Sequence, residues 1–482
     1  MEQALRTLRP ETIPDAMHPL WTAAIEHHRR GDISGAIALY QRYLKSNPQN
    51  PEAWLNLGAA LRKTRRLDAA LVCYQRVLRL RPLDAGVWSN LGNLWKDFEQ
   101  HEQSLRSHRR ALELAPGRFG LRVNYAMALR DAGHFEEAEA LIEECLEQEP
   151  GRADLVWERA QLRLHAGRYR EAWPDYEARW CIGASSAPLH ASPRWQGERI
   201  GGKRLLLLAE QGFGDTLWAA RYFGMLRRRG ADLSFACNPV LHPLFADVQV
   251  RLLDYADPGI AAQGFDFHCP VMSLPGLVDP RGLSIPEPLA VSIPAQSRVL
   301  LGRRVAPYAG SFRVGVVWSG STRFADHVRR SVALARLLPL AAMPGVQLFS
   351  LQKGKPAAQL NTSGAGGFIV DLAAQCANFG DTAAAIELMD LIVTTDSGVA
   401  HLAGCIGKPA LNLLQYKPNW IYGMRGEATA SYPTMRLIRQ MSPGDWDSAI
   451  NEMLRLVGTW AEVRMQERAG QGRRRDNTGV RR

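Results

Sequence analysis

The chain returns to the same pattern every 34 residues. Small residues Ala36, Ala70, Ser104, Ala138 and Ala172 keep that step, and so do Pro48, Pro82, Pro116 and Pro150. A fixed period of this length marks stacked units, each burying its apolar face only against its neighbours. The first third of the chain is therefore an array that presents a binding surface. The remainder has no such step and needs a separate explanation.

Within each unit the residue types fit two packed helices. Trp54 and Trp88 open a first helix, and Leu57-Gly58 and Leu91-Gly92 follow one turn later, with Ala23-Ala24 and Tyr125-Ala126 in register. A small residue there lets the second helix cross closely. The second helix supplies the small residue of the ladder and then Tyr40, Tyr74, His108, Ile142 or Tyr176 one turn on, and proline ends it. This pattern resembles the tetratricopeptide repeat over residues 17–184, as four full units and a fifth that lacks the closing proline.

A chain of 482 residues exceeds one core and suits about three domains. With 46% hydrophobic and 22% charged residues it reads as globular. No apolar run is long enough to span a bilayer. Residues 1–17 carry acids and prolines without an apolar core, which argues against a secretory signal. Seven scattered cysteines, never spaced as C-x-x-C, read as reduced thiols of a cytoplasmic protein with no metal site. The formal charge of +11 invites a nucleic-acid reading, but residues 464–482 hold seven arginines against Glu467 and Asp476. Residues 461–482 thus read as a basic, disordered tail. Without a recognised nucleic-acid-binding fold, the surplus suits an anionic small molecule and no nucleic-acid partner.

After Trp180 the composition changes. Residues 185–202, rich in Ser, Pro and Gly, read as a linker with Trp195 packing it down. From Lys203 onward short apolar runs alternate with helical stretches, the signature of parallel sheets covered by helices. Strands are expected at 204–209, 232–237, 250–253 and 265–269, with a helix over 215–229 after the first. A second set is expected at 313–318, 346–351, 368–371, 391–395 and 409–414. The proline-rich residues 283–310 read as an interdomain connection. Two Rossmann-like domains, 203–295 and 311–460, facing a cleft are the economical reading.

Three loops fall at the carboxyl ends of expected strands, where open α/β sheets bind ligands. The first is Gln211-Gly212-Phe213-Gly214-Asp215-Thr216, whose glycines permit close backbone approach to a ligand. Asp215 there is either an N-cap or a base pointing into the cleft. The second is Trp318-Ser319-Gly320-Ser321, followed by Asp326, Arg329, Arg330 and Ser331. The arginines are either a solvated face or a ligand contact. The third runs from Asp396 through Ser397, Gly398 and His401 to Gly404, a helix start whose amides can hold a diphosphate. His401 either donates to a phosphate or packs quietly.

Residues 210–216 (EQGFGDT) and 395–404 (TDSGVAHLAG) resemble the two motifs of the heptosyltransferase-like glycosyltransferases. They are closer still to bacterial proteins that join tetratricopeptide repeats to such a domain, and protein O-GlcNAc transferase has a similar layout. The resemblance extends through Ser350-Leu351-Gln352-Lys353-Gly354 and residues 432–437 and covers about 20–457. It implies a multidomain chain: an all-α solenoid followed by an α/β GT-B fold of two Rossmann-like domains. It also implies a nucleotide-sugar donor as substrate, no cofactor and no metal requirement. Asp215 matches the aspartate thought to act as general base. Asp396, Ser397, Gly398 and His401 match the loop holding the donor diphosphate and sugar, and Gln352, Lys353 and Arg330 fall near the phosphates. Gln211, Gly212, Gly214 and Thr216 belong to the acceptor-side loop. Ser397 stands where threonine is more usual, and residues 319–326 lack the asparagine-rich form of the family.

The expected function is transfer of a sugar to an acceptor hydroxyl, with the repeats selecting a protein acceptor such as flagellin or another surface protein. Two alternatives remain at this stage: an interaction scaffold with an inactive GT-B half, and a transferase acting on lipid or polysaccharide.

Overall fold

The computed structural model describes residues 18–182, 190–280, 285–322 and 327–479. The chain forms two compact units, Met1–Gly151 and Arg152–Arg482.

The first unit is a run of antiparallel helix pairs: α1 (Pro19–Arg29) with α2 (Ile33–Ser46), and α3 (Pro51–Lys63) with α4 (Leu67–Leu80). Then follow α5 (Ala85–Asp97) with α6 (His101–Leu114), and α7 (Phe119–Ala132) with α8 (Phe135–Gln148). Asp32, Asn50 and Asp84 cap the helices they precede, accepting first-turn N–H groups at 2.8–3.2 Å. Each second helix ends two residues before a ladder proline, as expected.

The close crossing expected at the glycines is present. A Cβ on Gly58 would stand 2.6 Å from the Tyr74 ring, and one on Gly92 2.5 Å from the His108 ring. Ser104, alone in an alanine ladder, donates its hydroxyl to Gly92 O at 2.8 Å. His108 fills the tyrosine position as a neutral ring, because burial pulls its pKa down to about 4. Trp54 and Trp88 each donate an indole N–H to the preceding ladder proline's carbonyl, Pro48 and Pro82, at 2.9 and 3.1 Å. The turn between paired helices needs one left-handed residue. Gly31 and Gly133 supply it at two pairs, but Arg65 and Glu99 adopt it at φ 62 in the others. That position therefore goes unnoticed in the sequence. An ion-pair series keeps the same step, with Arg62 on Asp97 at 2.7 Å and Lys96 on Asp131 at 2.6 Å.

The second unit begins with the fifth helical pair, α9 (Ala153–His165) and α10 (Tyr169–Tyr176). Pro174 lies inside α10, which tightens into a 3₁₀ turn over Glu177–Cys181. Ala160, Trp173 and Tyr176 share one core with Trp195, Trp218 and Trp420, so this pair is built into the α/β body. Trp173 stands 5.6 Å from Trp420, and its Cβ lies 2.7 Å from where a Cβ on Gly276 would stand. Of the expected linker, residues 185–189 lie outside the described residues. Its remainder is tied down: Trp195 is fully buried and its N–H donates to His268 O at 2.9 Å.

Two parallel sheets follow. The first contains β1 (Arg204–Leu208), β2 (Asp232–Cys237), β3 (Arg251–Asp254) and β4 (Phe267–Pro270) in the order β3-β2-β1-β4. The second contains β5 (Phe312–Val317), β6 (Val346–Ser350), β7 (Ile369–Asp371), β8 (Leu391–Thr395), β9 (Ala410–Leu414) and β10 (Met435–Arg439). Its order is β10-β9-β8-β5-β6-β7, so the chain reverses direction across the sheet between β5 and β8. The expected strands are matched to within about two residues at their ends; β10 is additional.

Three local expectations are corrected. The helix expected over 215–229 is α11 (Phe213–Ala219), a 3₁₀ turn and α12 (Phe223–Arg228). Helix α11 starts two residues early because Gly212 is its N-cap. After α13 (Leu274–Val278), the supposed connection carries α14 (Ala295–Val305), whose Ser297 and Arg298 bond Asp381 and Glu387 at 2.6 Å. Beyond α15 (Gln359–Thr362), α16 (Phe379–Glu387) and α17 (Gly398–Ile406), helix α18 (Trp446–Gly479) occupies most of the expected tail. Its first half buries Ala449, Met453, Val457 and Ala461, and the helix continues from that anchored segment.

Candidate functional site

All three loops lie where the topology says a ligand should. Those after β5 and β8 flank the reversal point of the six-stranded sheet, where neighbouring crossovers diverge and leave a crevice. They touch: a Cβ on Gly320 would stand 3.0 Å from Asp396 O, which leaves room only for glycine. The loop after β1 is brought against the third. The His401 Cδ2 atom lies 2.5 Å from where a Cβ on Gly214 would stand, and Phe213 Cβ 3.6 Å from that position on Gly398.

Asp215 sits at the third position of α11, where its Oδ2 accepts the Gly212 N–H at 3.0 Å. It is thus neither a plain N-cap nor a loop residue. Burial raises its pKa to about 6; the Gly212 hydrogen bond opposes this, while the charges of Asp396 and Glu210 add to it. Such a carboxylate is ionised at neutral pH yet basic enough to take a proton. Thr216 is buried in the same turn, and Gln211 faces away, donating to Tyr176 Oη at 3.1 Å.

Asp396 is buried and lies 3.6 Å from Arg330 Nη1. Arg330 is held there because Ser331 Oγ bonds Ser319 Oγ at 2.8 Å and Val332 N–H donates to Trp318 O at 2.8 Å. Ser397 is the N-cap residue of α17, but its hydroxyl bonds Thr394 Oγ1 at 3.0 Å and no side chain caps the helix. Ala400 N–H turns back to Ser397 O at 3.0 Å, so the amides this helix start offers to an anion or to water are those of Gly398 and Val399. Asp326 lies outside the described residues.

Three residues expected to contact the donor are bonded to the protein itself. Gln352 is buried and spends all four hydrogen bonds on backbone. It accepts from Trp318 N and Ser319 N at 3.0 and 2.9 Å and donates to Ser319 O and Lys353 O at 2.9 and 2.8 Å. It shapes the second loop from behind. The Lys353 ammonium donates to Ala373 O at 2.7 Å and to Cys376 O, closing a 3₁₀ turn. His401 is fully engaged: Nδ1 lies 2.9 Å from Tyr432 Oη and Nε2 3.2 Å from Tyr422 Oη. Burial and the Arg221 charge lower its pKa to about 3, so it is a neutral strut between the halves.

Sequence reasoning missed the seam that fixes these loops. Arg221 is buried and donates to Trp218 O, Pro286 O and Ser431 O at 2.8–3.1 Å, while Trp218 Nε1 donates to Ser431 Oγ at 3.0 Å. No spacing links residues 210 apart, so no sequence signal marks them.

Comparison with known proteins agrees with this architecture. The tetratricopeptide repeat model matches residues 22–85 and 125–188, and that of glycosyltransferase family 9 (heptosyltransferase) matches 342–420. The chain thus carries tetratricopeptide repeats at its N-terminus and a glycosyltransferase family 9 domain near its C-terminus. Protein FlbA of Caulobacter vibrioides is 26% identical over 310 residues, 59% of this chain and 51% of FlbA. The match therefore spans about half the length of that relative. Among solved structures, the type IV pilus biogenesis factor PilW is 24% identical over 33% of this chain and 74% of its own, with a TM-score of 0.31. A tetratricopeptide protein of Thermus thermophilus is 23% identical over 33% and 86%, with a TM-score of 0.29. No helix among the described residues is long and apolar enough to cross a membrane.

Proposed function

We propose that the chain is a metal-independent glycosyltransferase of GT-B type. It moves a sugar from a nucleotide-sugar to an acceptor hydroxyl, and the repeats select a protein acceptor, flagellin or another surface protein among the candidates. The observation that carries this reading is the apposition of Asp215 and α11 to the uncapped start of α17. A base and an anion site thereby meet across the two sheets.

In this mechanism the donor diphosphate rests against the Gly398 and Val399 amides at the start of α17, with Arg330 beside it; both stabilise the negative charge that builds as the nucleoside diphosphate leaves. Asp396 offsets Arg330 and offers an acceptor to sugar hydroxyls. Asp215 takes the acceptor hydroxyl proton as that oxygen bonds the anomeric carbon and the bond from this carbon to the phosphate oxygen breaks. The repeat array and the absence of a spanning helix among the described residues support a protein acceptor over a membrane lipid. Seven free cysteines fit a reducing cytoplasm. The test is Asp215→Asn: a loss of transfer of about 10²–10⁴-fold is expected, and parental rates would remove the base from the mechanism.

A further inference from the structure

The fifth helical pair meets the base loop through Arg179, and this contact goes beyond packing. The Arg179 guanidinium lies between the rings of Tyr176 and Trp180, 4.5 and 4.3 Å from their centroids. Its Nε and Nη2 form a fork onto both carboxylate oxygens of Glu210, at 3.0 and 2.9 Å. Nη2 also donates to Ser273 Oγ at 2.8 Å, and Nη1 to Tyr176 O and Glu177 Oε1 at 3.1 and 2.9 Å. All five donors are used. Glu210 is buried and its Oε1 also accepts the Met272 N–H at 2.9 Å, from the turn after β4.

The next residue, Gln211, is left-handed at φ 58, a conformation that costs a non-glycine residue free energy and persists only where neighbours enforce it. Its neighbours do so from both sides. Glu210 is clamped by Arg179, and the Gln211 side chain itself donates to Tyr176 Oη at 3.1 Å. The following amide, Gly212 N–H, is the one that holds the Asp215 carboxylate. An unbroken line of contacts thus runs from the helical pair to the base.

We infer that Arg179 and Tyr176 are positioning residues: through Glu210 and Gln211 they hold the 210–215 loop in the conformation that aims Asp215 at the acceptor. The inference rests on the transferase reading for its kinetic consequence, but not for its structural one. The fifth pair thereby belongs to the catalytic machinery, although its sequence is that of a repeat.

The test uses the full chain with Tyr176→Phe and Arg179→Met, and with Arg179→Lys as the conservative variant. Tyr176→Phe keeps the buried ring and removes one hydroxyl, so it remains informative if Arg179→Met fails to fold. Amide hydrogen exchange over residues 209–216 is measured beside kcat and the donor KM. Exchange there is expected to quicken by about tenfold in Tyr176→Phe and more in Arg179→Met. Losses in kcat of about 3–10-fold and 10–100-fold should accompany this, with donor KM unchanged. Arg179→Lys, which has a point charge but no fork, should fall between parent and Arg179→Met. Unchanged exchange in folded Tyr176→Phe overturns the inference, and so does faster exchange with parental kcat. If the parent itself transfers no sugar, the proposed function falls, and the exchange result alone decides whether the pair holds the loop.

Discussion

Gly214→Ala is the sharpest perturbation of the seam between the two sheets. The new methyl would stand 2.5 Å from His401 Cδ2, whereas ordinary contact begins near 3.4 Å, so about 1 Å must be found. The imidazole cannot retreat, because Tyr432 and Tyr422 hold both ring nitrogens. Nor can Tyr432, whose Cδ1 lies 2.2 Å from the Cβ position of Gly404. Helix α11 must therefore move from α17, at about 1–3 kcal/mol for overpacking. A shift near 1 Å between base and donor loop lowers transfer by roughly 10²-fold. The assay is thermal unfolding, with a fall of about 2–6 °C in the transition of the α/β unit, beside the transfer rate. Gly302→Ala in α14 is the control. Nothing lies within 4 Å of its Cβ position, so stability should be unchanged or rise by up to about 1 kcal/mol. If Gly214→Ala matches that control in both stability and rate, the two loops are not held in contact as described.

Three further outcomes follow from the same contacts. Transfer should fall about tenfold per pH unit below about 6 as Asp215 takes its proton, measured as a pH profile of kcat/KM. Because the folded pKa lies above the unfolded value of 3.8, the contribution of Asp215 to stability is fully present below about 4 and is lost as pH rises through about 6. Asp215→Asn keeps an acceptor for Gly212 N–H, so denaturant titration at pH 7 should show it more stable than the parent by on the order of 1–3 kcal/mol. Lys353→Met should lose about 1–2 kcal/mol through its freed carbonyl partners while leaving donor KM unchanged; a large KM increase would restore a phosphate role. A chain beginning at Arg152 should fold, by circular dichroism and cooperative melting. One beginning at His190 should not, since Trp173 and Tyr176 leave the shared core and Glu210 loses Arg179.

The ladder was legible because the close helix crossing fixes residue size at a fixed step, as Gly58 and Gly92 in two units and buried Ala24 and Ala126 in the units on either side. The strands were legible from apolar runs, and the three loops from small residues at strand ends. What a polar group bonds was not. Gln352, Lys353 and His401 stand in ligand-type motifs, yet all three satisfy protein partners, and those partners are distant in sequence. Membership of the fifth pair in the α/β body was half legible. Its missing proline and Trp180 set it apart, but Arg179 acquires meaning only when β1 and β4 bring Glu210 and Ser273 to it. The left-handed turn was hidden by Arg65 and Glu99.

The most direct test of the account is intact-mass measurement of candidate protein acceptors after incubation with the purified full chain and UDP-, GDP-, ADP- or CMP-sugars. The account predicts that one donor class adds the mass of a sugar residue to an acceptor, and that Asp215→Asn abolishes the addition. No added mass with any donor, or equal addition by parent and variant, would contradict it.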